Sequence, residues 1–297
     1  MLAALAAEHA AIGSTFAEAA DILGQDLWQL SQDGPADALS DTRVTQPLMF
    51  CADVAVWRAL RDAGMPMPAV VAGHSLGEFA AMVAADVLSF TDGLSLVRRR
   101  AELMASAVPA GEGGMAALIG MDDQAVVDVC AAVTGERVCE AVNFNAPGQV
   151  AISGHLDALE KALSLARERG CRKALMLAVS VPNHSSLMRD AGAELARVID
   201  TISFSEPAVP LVQNATASAA PSLAALLDHL KAHVFRPVYW TRTIETLRDV
   251  YEVSTVVEAG PGKVLTGLGK RIDRSLPTLP VDSPADLAAV QSALGNS

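Results

Sequence analysis

A serine attacks an acyl carbon only where its hydroxyl is exposed, a base stands ready for its proton, and a donor meets the oxyanion that forms. The run Val70-Val71-Ala72-Gly73-His74-Ser75-Leu76-Gly77-Glu78 offers the first of these: an apolar, strand-like stretch stops in a Gly-x-Ser-x-Gly pentapeptide and continues into an Ala-rich helical one. Such a strand-to-helix turn is a nucleophile elbow, and its glycines let strand and helix backbones pass closely. Ser75 is the candidate nucleophile. The next amide, that of Leu76, stands at a helix N-terminus and is the candidate oxyanion donor. For the base, the best placed histidine is His184 in Ser180-Val181-Pro182-Asn183-His184, where Pro182 fixes the backbone just ahead of it. His9, His155, His229 and His233 sit on or beside helical segments with polar surroundings, and His74 is expected to point away from its neighbour Ser75.

The elements that must hold these residues follow from periodicity. Helical spacing dominates residues 2–23, 46–62, 78–85 and 91–107, with a short strand at 69–72 leading into Ser75. Beyond Ala110-Gly111-Glu112-Gly113-Gly114 the texture changes. Strand patterns at 115–120, 138–143, 149–153 and 173–177 alternate with helical ones at 123–133 and 156–169, around a turn at Ala146-Pro147-Gly148. That β-α-β-β-α-β order is ferredoxin-like. Helical spacing returns at 185–199 and 222–232, with strands near 210–212 and 254–258. Gly260-Pro261-Gly262 opens another helix, and Ser283-Pro284 starts a last one, with a capping serine and a proline at the first helical position. The expected fold class is α/β: an α/β-hydrolase-like parallel sheet with helices on both faces, plus an inserted ferredoxin-like α+β subdomain. The expected division is 1–112 with 182–297 for the large domain and 113–181 for the small one.

At 297 residues and 51% apolar the chain can bury a sizeable core. No apolar run approaches the roughly 20 residues that span a bilayer. Residues 1–12 are apolar but hold Glu8 and His9 without a basic leader, which reads as a helix rather than a signal peptide, so a cytoplasmic address is expected. Cys51, Cys130, Cys139 and Cys171 lack paired or metal-like spacing and are expected to be buried free thiols. A formal charge of −12 excludes nucleic acid as the general partner. The basic groups that remain, Arg98-Arg99-Arg100, Arg172-Lys173 and Lys263 with Lys270 and Arg271, are where an anionic ligand or acidic partner would dock.

Six motifs then occur in a telling order. They are Gly73-His74-Ser75-Leu76-Gly77-Glu78, Arg100 within Val97-Arg98-Arg99-Arg100-Ala101, Val142-Asn143-Phe144-Asn145-Ala146-Pro147-Gly148-Gln149, Val179-Ser180-Val181-Pro182-Asn183-His184, Pro237-Val238-Tyr239-Trp240-Thr241 and Glu258-Ala259-Gly260-Pro261-Gly262-Lys263-Val264-Leu265. In this order the chain resembles the malonyl-CoA:acyl-carrier-protein transacylases over essentially its whole length, above all the stand-alone bacterial type of fatty acid synthesis; polyketide synthase acyltransferase domains are a more distant match.

The resemblance implies a ping-pong acyl transfer. Ser75 would carry the malonyl group from CoA to the phosphopantetheine thiol of an acyl carrier protein, with His184 as base and then acid. The family has no third carboxylate; a backbone carbonyl of the loop matching Val238-Tyr239-Trp240 would orient the histidine, with Tyr239 standing where many relatives have glutamine. Arg100 matches the arginine that pairs with the free carboxylate, and Gln46 a glutamine near the site. Asn183 departs from the serine or phenylalanine common before the histidine, a position that lines the acyl pocket. Asn145 matches an asparagine of structural role. Arg172 and Lys173 match basic positions facing CoA phosphates or an acidic carrier protein. No metal or organic cofactor is implied; the partners are malonyl-CoA and acyl carrier protein, with no membrane or nucleic acid, and the expected state is a monomer.

The family opens with a strand and a Gly-Gln-Gly-Ser-Gln loop that supplies a second oxyanion donor, whereas this chain starts at Met1-Leu2-Ala3-Ala4, where relatives have entered the following helix. The expectation is that Met1 is an internal methionine of a longer protein, the chain being N-terminally truncated. Two other readings stand beside transfer: a serine esterase or thioesterase using water as acceptor, and an inactive relative that only binds a carrier protein.

Overall fold

The computed structural model describes residues 1–295; positions 296 and 297, the end of the expected large domain, lie outside the described residues. From the N-terminus the elements are α1 (Ala3–Glu8), α2 (Ala10–Leu23), α3 (Leu27–Asp33), α4 (Ala36–Ser40), α5 (Thr42–Asp62), β1 (Val71–Ala72), α6 (Gly77–Ala84) and α7 (Phe90–Ala105). The middle of the chain forms β2 (Gly113–Ile119), α8 (Asp123–Val133), β3 (Cys139–Ala146), β4 (Gln149–His155), α9 (Leu156–Glu168) and β5 (Lys173–Met176). After a 3₁₀ turn at Ser186–Met188 come α10 (Arg189–Ile199), β6 (Leu211–Gln213), β7 (Ser218–Ala219) and α11 (Leu223–Ala232). A second 3₁₀ turn at His233–Phe235 leads to α12 (Trp240–Asp249), β8 (Val256–Ala259), α13 (Val264–Ile272), β9 (Thr278–Val281) and α14 (Pro284–Gly295).

The chain divides into two compact units, residues 1–101 with 203–211 and 247–297, and residues 102–202 with 212–246. This differs from a division at 113 and 181. The second unit takes in 182–202 and 212–246 because α10 packs on α11 and on the His233–Phe235 turn, while Val238 bridges Asn143 of β3.

In the first unit the apolar stripe of α2, with Ile12, Phe16 and Ala19 buried, packs on α5, whose Cys51, Ala52, Ala55 and Val56 are buried in turn. Asp41 caps α5 by accepting the Arg43 amide at 2.9 Å. The helix expected across residues 2–23 is two helices, because His9 takes an extended conformation (φ −125°, ψ 105°) between α1 and α2. β1 is only two residues long, and Val71 N–H donates to Pro210 O at 2.9 Å. β8 and β9 pair in parallel, Val256 to Thr278 through Ala259 to Val281. Ser283 caps α14 as expected: its Oγ accepts the Asp286 amide and donates to the Asp286 carboxylate.

The second unit holds the ferredoxin-like element. Its four strands lie in the order β3-β4-β2-β5, all pairs antiparallel. α8 and α9 pack on the sheet, and Leu118, Val126, Val129, Val150, Ile152, Leu159 and Leu163 form one buried cluster. The helix expected from residue 185 begins instead with the 3₁₀ turn at Ser186–Met188.

Candidate active site

The serine stands where the strand-to-helix turn is tightest. A Cβ added to Gly73 would lie 2.0 Å from the carbonyl carbon and oxygen of Gly77 and 2.5 Å from the Glu78 nitrogen, so only glycine lets β1 pass the head of α6. Gly77 differs: nothing lies within 4 Å of its Cβ position, so its part in the motif is the backbone that Gly73 passes. Ser75 itself has φ +48°, a left-handed conformation in which the turn lifts the side chain out of the helix start. The turn closes with Gly77 N–H to His74 O, Glu78 N–H to Ser75 O and Phe79 N–H to Leu76 O, at 2.9 to 3.1 Å. The Leu76 amide is not among those spent on that closure, and it lies at the positive end of α6.

Arg100, from α7, reaches the same turn. It is 2% exposed, donates through Nη1 to Gln46 Oε1, and brings Nη2 to 3.4 Å from Ser75 Oγ. Its guanidinium carbon lies 5.5 Å from the centre of the Phe79 ring. Gln46 is fixed in turn by donating to Thr42 Oγ1 at 2.9 Å. Burial lowers the Arg100 pKa to about 10, against which the buried Glu78 carboxylate acts to raise it. Arg100 Nε is buried without a hydrogen-bond partner. A cation beside the candidate nucleophile, with donor capacity to spare, suits an anionic group on the substrate. Ser75, Leu76, Gln46 and Arg100 are thus together in the first unit.

In the second unit His184 is 2% exposed and has φ +65°. Its own amide donates to Val234 O at 3.0 Å. Its Nδ1 lies 3.2 Å from His233 O and 3.0 Å from Arg236 O. Carbonyls only accept, so Nδ1 carries a proton, and in the neutral ring Nε2 is then the nitrogen with the lone pair that a general base requires. Asn183, beside it, is half-buried, with Oδ1 buried and lacking a hydrogen-bond partner. Arg172 and Lys173 are exposed at the start of β5, an edge strand of the sheet.

Comparison with known proteins decides the family. Residues 2–281 match the acyl transferase domain family. The malonyl CoA-acyl carrier protein transacylase of Salmonella typhimurium is 45% identical over 97% of this chain and 93% of its own length; that of Bacillus subtilis is 40% identical over 91% and 84%. The chain belongs to the malonyl CoA-acyl carrier protein transacylases. Among solved structures, the transacylase of Xanthomonas oryzae pv. oryzae superposes with a TM-score of 0.96 at 47% identity, covering 99% of this chain and 93% of that one. A malonyl-transacylase in complex with a type II polyketide acyl-carrier protein gives 0.96 at 42% identity, covering 100% and 95%.

One expectation for a transacylase needs correcting here. The carbonyls that hold His184 are those of His233 and Arg236, not that of Tyr239. Tyr239 O is occupied as the first acceptor of α12, taking the Thr243 amide at 2.9 Å and the Thr243 hydroxyl at 3.1 Å. Its ring stacks on Phe144 at 5.1 Å with Arg242 over its face. Sequence reasoning also gave no role to Phe79 and Glu78, which the first turn of α6 carries under Arg100; their spacing three and four residues after Ser75 was the available signal.

Proposed function

We propose that the chain carries a malonyl group from malonyl-CoA to the phosphopantetheine thiol of an acyl carrier protein, by way of an ester on Ser75. The observation that carries this reading is the buried guanidinium of Arg100, with Nη2 3.4 Å from Ser75 Oγ and Nε unpartnered. A fixed cationic fork in a dry site favours an acyl group ending in a carboxylate, which two N–H groups grip side by side. An acetyl group would leave that cation bare.

In this mechanism His184 Nε2 takes the Ser75 proton as Oγ attacks the thioester carbonyl. The Leu76 amide meets the oxyanion at the head of α6. Collapse of the tetrahedral intermediate breaks the C–S bond, and the CoA sulfur leaves with the proton from His184. The carrier's thiol then gives its proton to His184 and attacks the malonyl ester, and Ser75 regains its proton as the C–O bond breaks. Hydroxyl, imidazole and amides suffice, so no metal or organic cofactor takes part. Arg172 and Lys173 offer exposed charge to CoA phosphates or to an acidic carrier protein. Asn183, next to the base, bounds the acyl group by its size. The reaction runs in the cytoplasm, in keeping with four cysteines that are buried and unpaired.

One mixing experiment tests the reading. Labelled malonyl-CoA and holo carrier protein should give malonyl carrier, with label on the peptide bearing Ser75 when the carrier is left out. Release of free malonate would mean a hydrolase, and no turnover an inert binding protein.

A further inference from the structure

We infer that Glu140 is a positioning residue for the base, a carboxylate on β3 that holds the turn carrying His184. The inference rests on the proposed role of His184 and extends it. That turn is drawn tight on one side: Asn183 N–H donates to Val181 O at 2.9 Å, and the Ser185 amide and hydroxyl both donate to Pro182 O, at 3.4 and 2.7 Å. Ser185 stands at the capping position of the Ser186–Met188 turn that leads into α10, yet its side chain makes no cap bond, because its hydroxyl is turned back to Pro182. The cap comes from another strand. Glu140 Oε2 accepts the Ser186 amide and Oε1 accepts the Ser186 hydroxyl, each at 2.7 Å. Two short, charge-assisted bonds to one residue fix both its place and its orientation, and the carboxylate sits at the positive end of a helical run. Its base is rigid: Glu140 pairs with Ser153 of β4 within the four-stranded sheet.

His184 needs such a hold. Its φ of +65° is a left-handed conformation that is unfavourable for a non-glycine residue and persists only where the surroundings impose it. Upstream, residues 178–180 are exposed and outside regular structure, so on that side restraint comes only from the buried pair Val181 and Pro182. The hold is therefore shared by the carbonyls of residues 233, 234 and 236, which take the His184 N–H and Nδ1, and by Glu140 on Ser186 two residues after it. Without Glu140 the turn loses its anchor to the sheet on the far side of the ring, and a base displaced by about 1 Å loses on the order of 100-fold in rate.

The test measures single-turnover acylation of the protein by labelled malonyl-CoA, at saturation and as a function of concentration. Glu140→Ala is expected to slow the saturating rate about 10- to 100-fold while the concentration giving half the maximal rate stays near the parent's. Glu140→Asp should recover part of the loss, and Ser186→Ala, which removes one of the two bonds, should fall between. In a His184→Ala background, Glu140→Ala should add nothing, since it acts through the imidazole. If His184→Ala is slow but Glu140→Ala keeps the parent's rate, this inference fails alone. If Glu140→Ala slows both backgrounds equally, it also fails, because its effect then bypasses the base. If His184→Ala itself keeps the parent's rate, the proposed base is wrong and the inference falls with it. Should Glu140→Ala not fold, as read by near-ultraviolet circular dichroism, Ser186→Ala carries the same comparisons.

Discussion

Replacing Arg100 by alanine separates recognition of the malonyl carboxylate from acyl transfer itself. The fork would make two charge-assisted hydrogen bonds to that carboxylate, each contributing about 1.5–3 kcal/mol in a desolvated site. Losing both removes about 3–6 kcal/mol of transition-state stabilisation, or about 10²- to 10⁴-fold in kcat/KM for malonyl-CoA. The full effect is available in ordinary buffers, because a pKa of about 10 leaves the guanidinium charged at neutral pH. Acetyl transfer should respond the other way. An acetyl group gains nothing from Arg100 and must tolerate a bare cation, so its rate should hold or rise in Arg100→Ala. The assay is the initial rate of acyl-carrier formation from each labelled CoA ester at matched concentrations. Deleting a side chain that packs against Phe79 also leaves a cavity, so rates are read well below the thermal midpoint, which should itself drop. Equal loss with malonyl and acetyl donors would refute the reasoning, because it would make Arg100 a support of the turn rather than a reader of the acyl group.

The remaining predictions concern the same two turns. Gly73→Ala places its Cβ 2.0 Å from the Gly77 backbone, so α6 must shift; a loss of about 3 kcal/mol or more and of Ser75 labelling is expected, whereas Gly77→Ala, with open space at its Cβ, should change the melting temperature little. The preference for malonyl over acetyl donors should be flat from pH 7 to 9 and decline as pH passes about 10, since burial lowers the Arg100 pKa and the cation exists only below it. Arg100→Lys should move that decline to lower pH, because an ammonium starts lower and suffers the same burial; rate ratios across the range check both. Tyr239→Gln should leave malonyl transfer close to the parent's rate, because His184 is held by main-chain carbonyls that the substitution does not remove; a large loss would mean that the Tyr239 ring, stacked on Phe144 with Arg242 over its face, positions this loop.

What could be read in the sequence was what is local. Gly73 and Ser75 announce the elbow because the steric demand and the residue that meets it lie within five positions. The ferredoxin-like order could be read because each of its elements has its own period, and α8 begins and ends where the pattern said, at Asp123 and Val133. The break at His9 could not, since apolar spacing runs through it and the change is in backbone angle alone. The pairing of Gln46 with Arg100 spans 54 positions and that of Glu140 with Ser186 spans 46, distances over which no period carries information. The holders of His184 were misassigned for a different reason: they are main-chain carbonyls, which every residue has, so no side chain marks them.

Both residues to which the proposed mechanism gives proton or acyl chemistry occupy left-handed backbone, Ser75 at +48° and His184 at +65°. Neither is a glycine or asparagine, so each conformation costs about 1–3 kcal/mol that its surroundings must offset. The offsets are of different kinds. At Ser75 the cost is met within the turn, by the three helix-start bonds that close it and by the passage that Gly73 alone permits. At His184 it is met from outside, by carbonyls of residues 233, 234 and 236 and by a carboxylate on β3. A hydroxyl nucleophile needs only to be presented at a fixed angle, which one turn can do. A base must hold its angle, its tautomer and its reach through four proton transfers per cycle, which takes contacts from several segments. Substitutions that disturb function without touching substrate should therefore cluster around the histidine rather than around the serine, where the glycine that shapes the turn is already part of the motif.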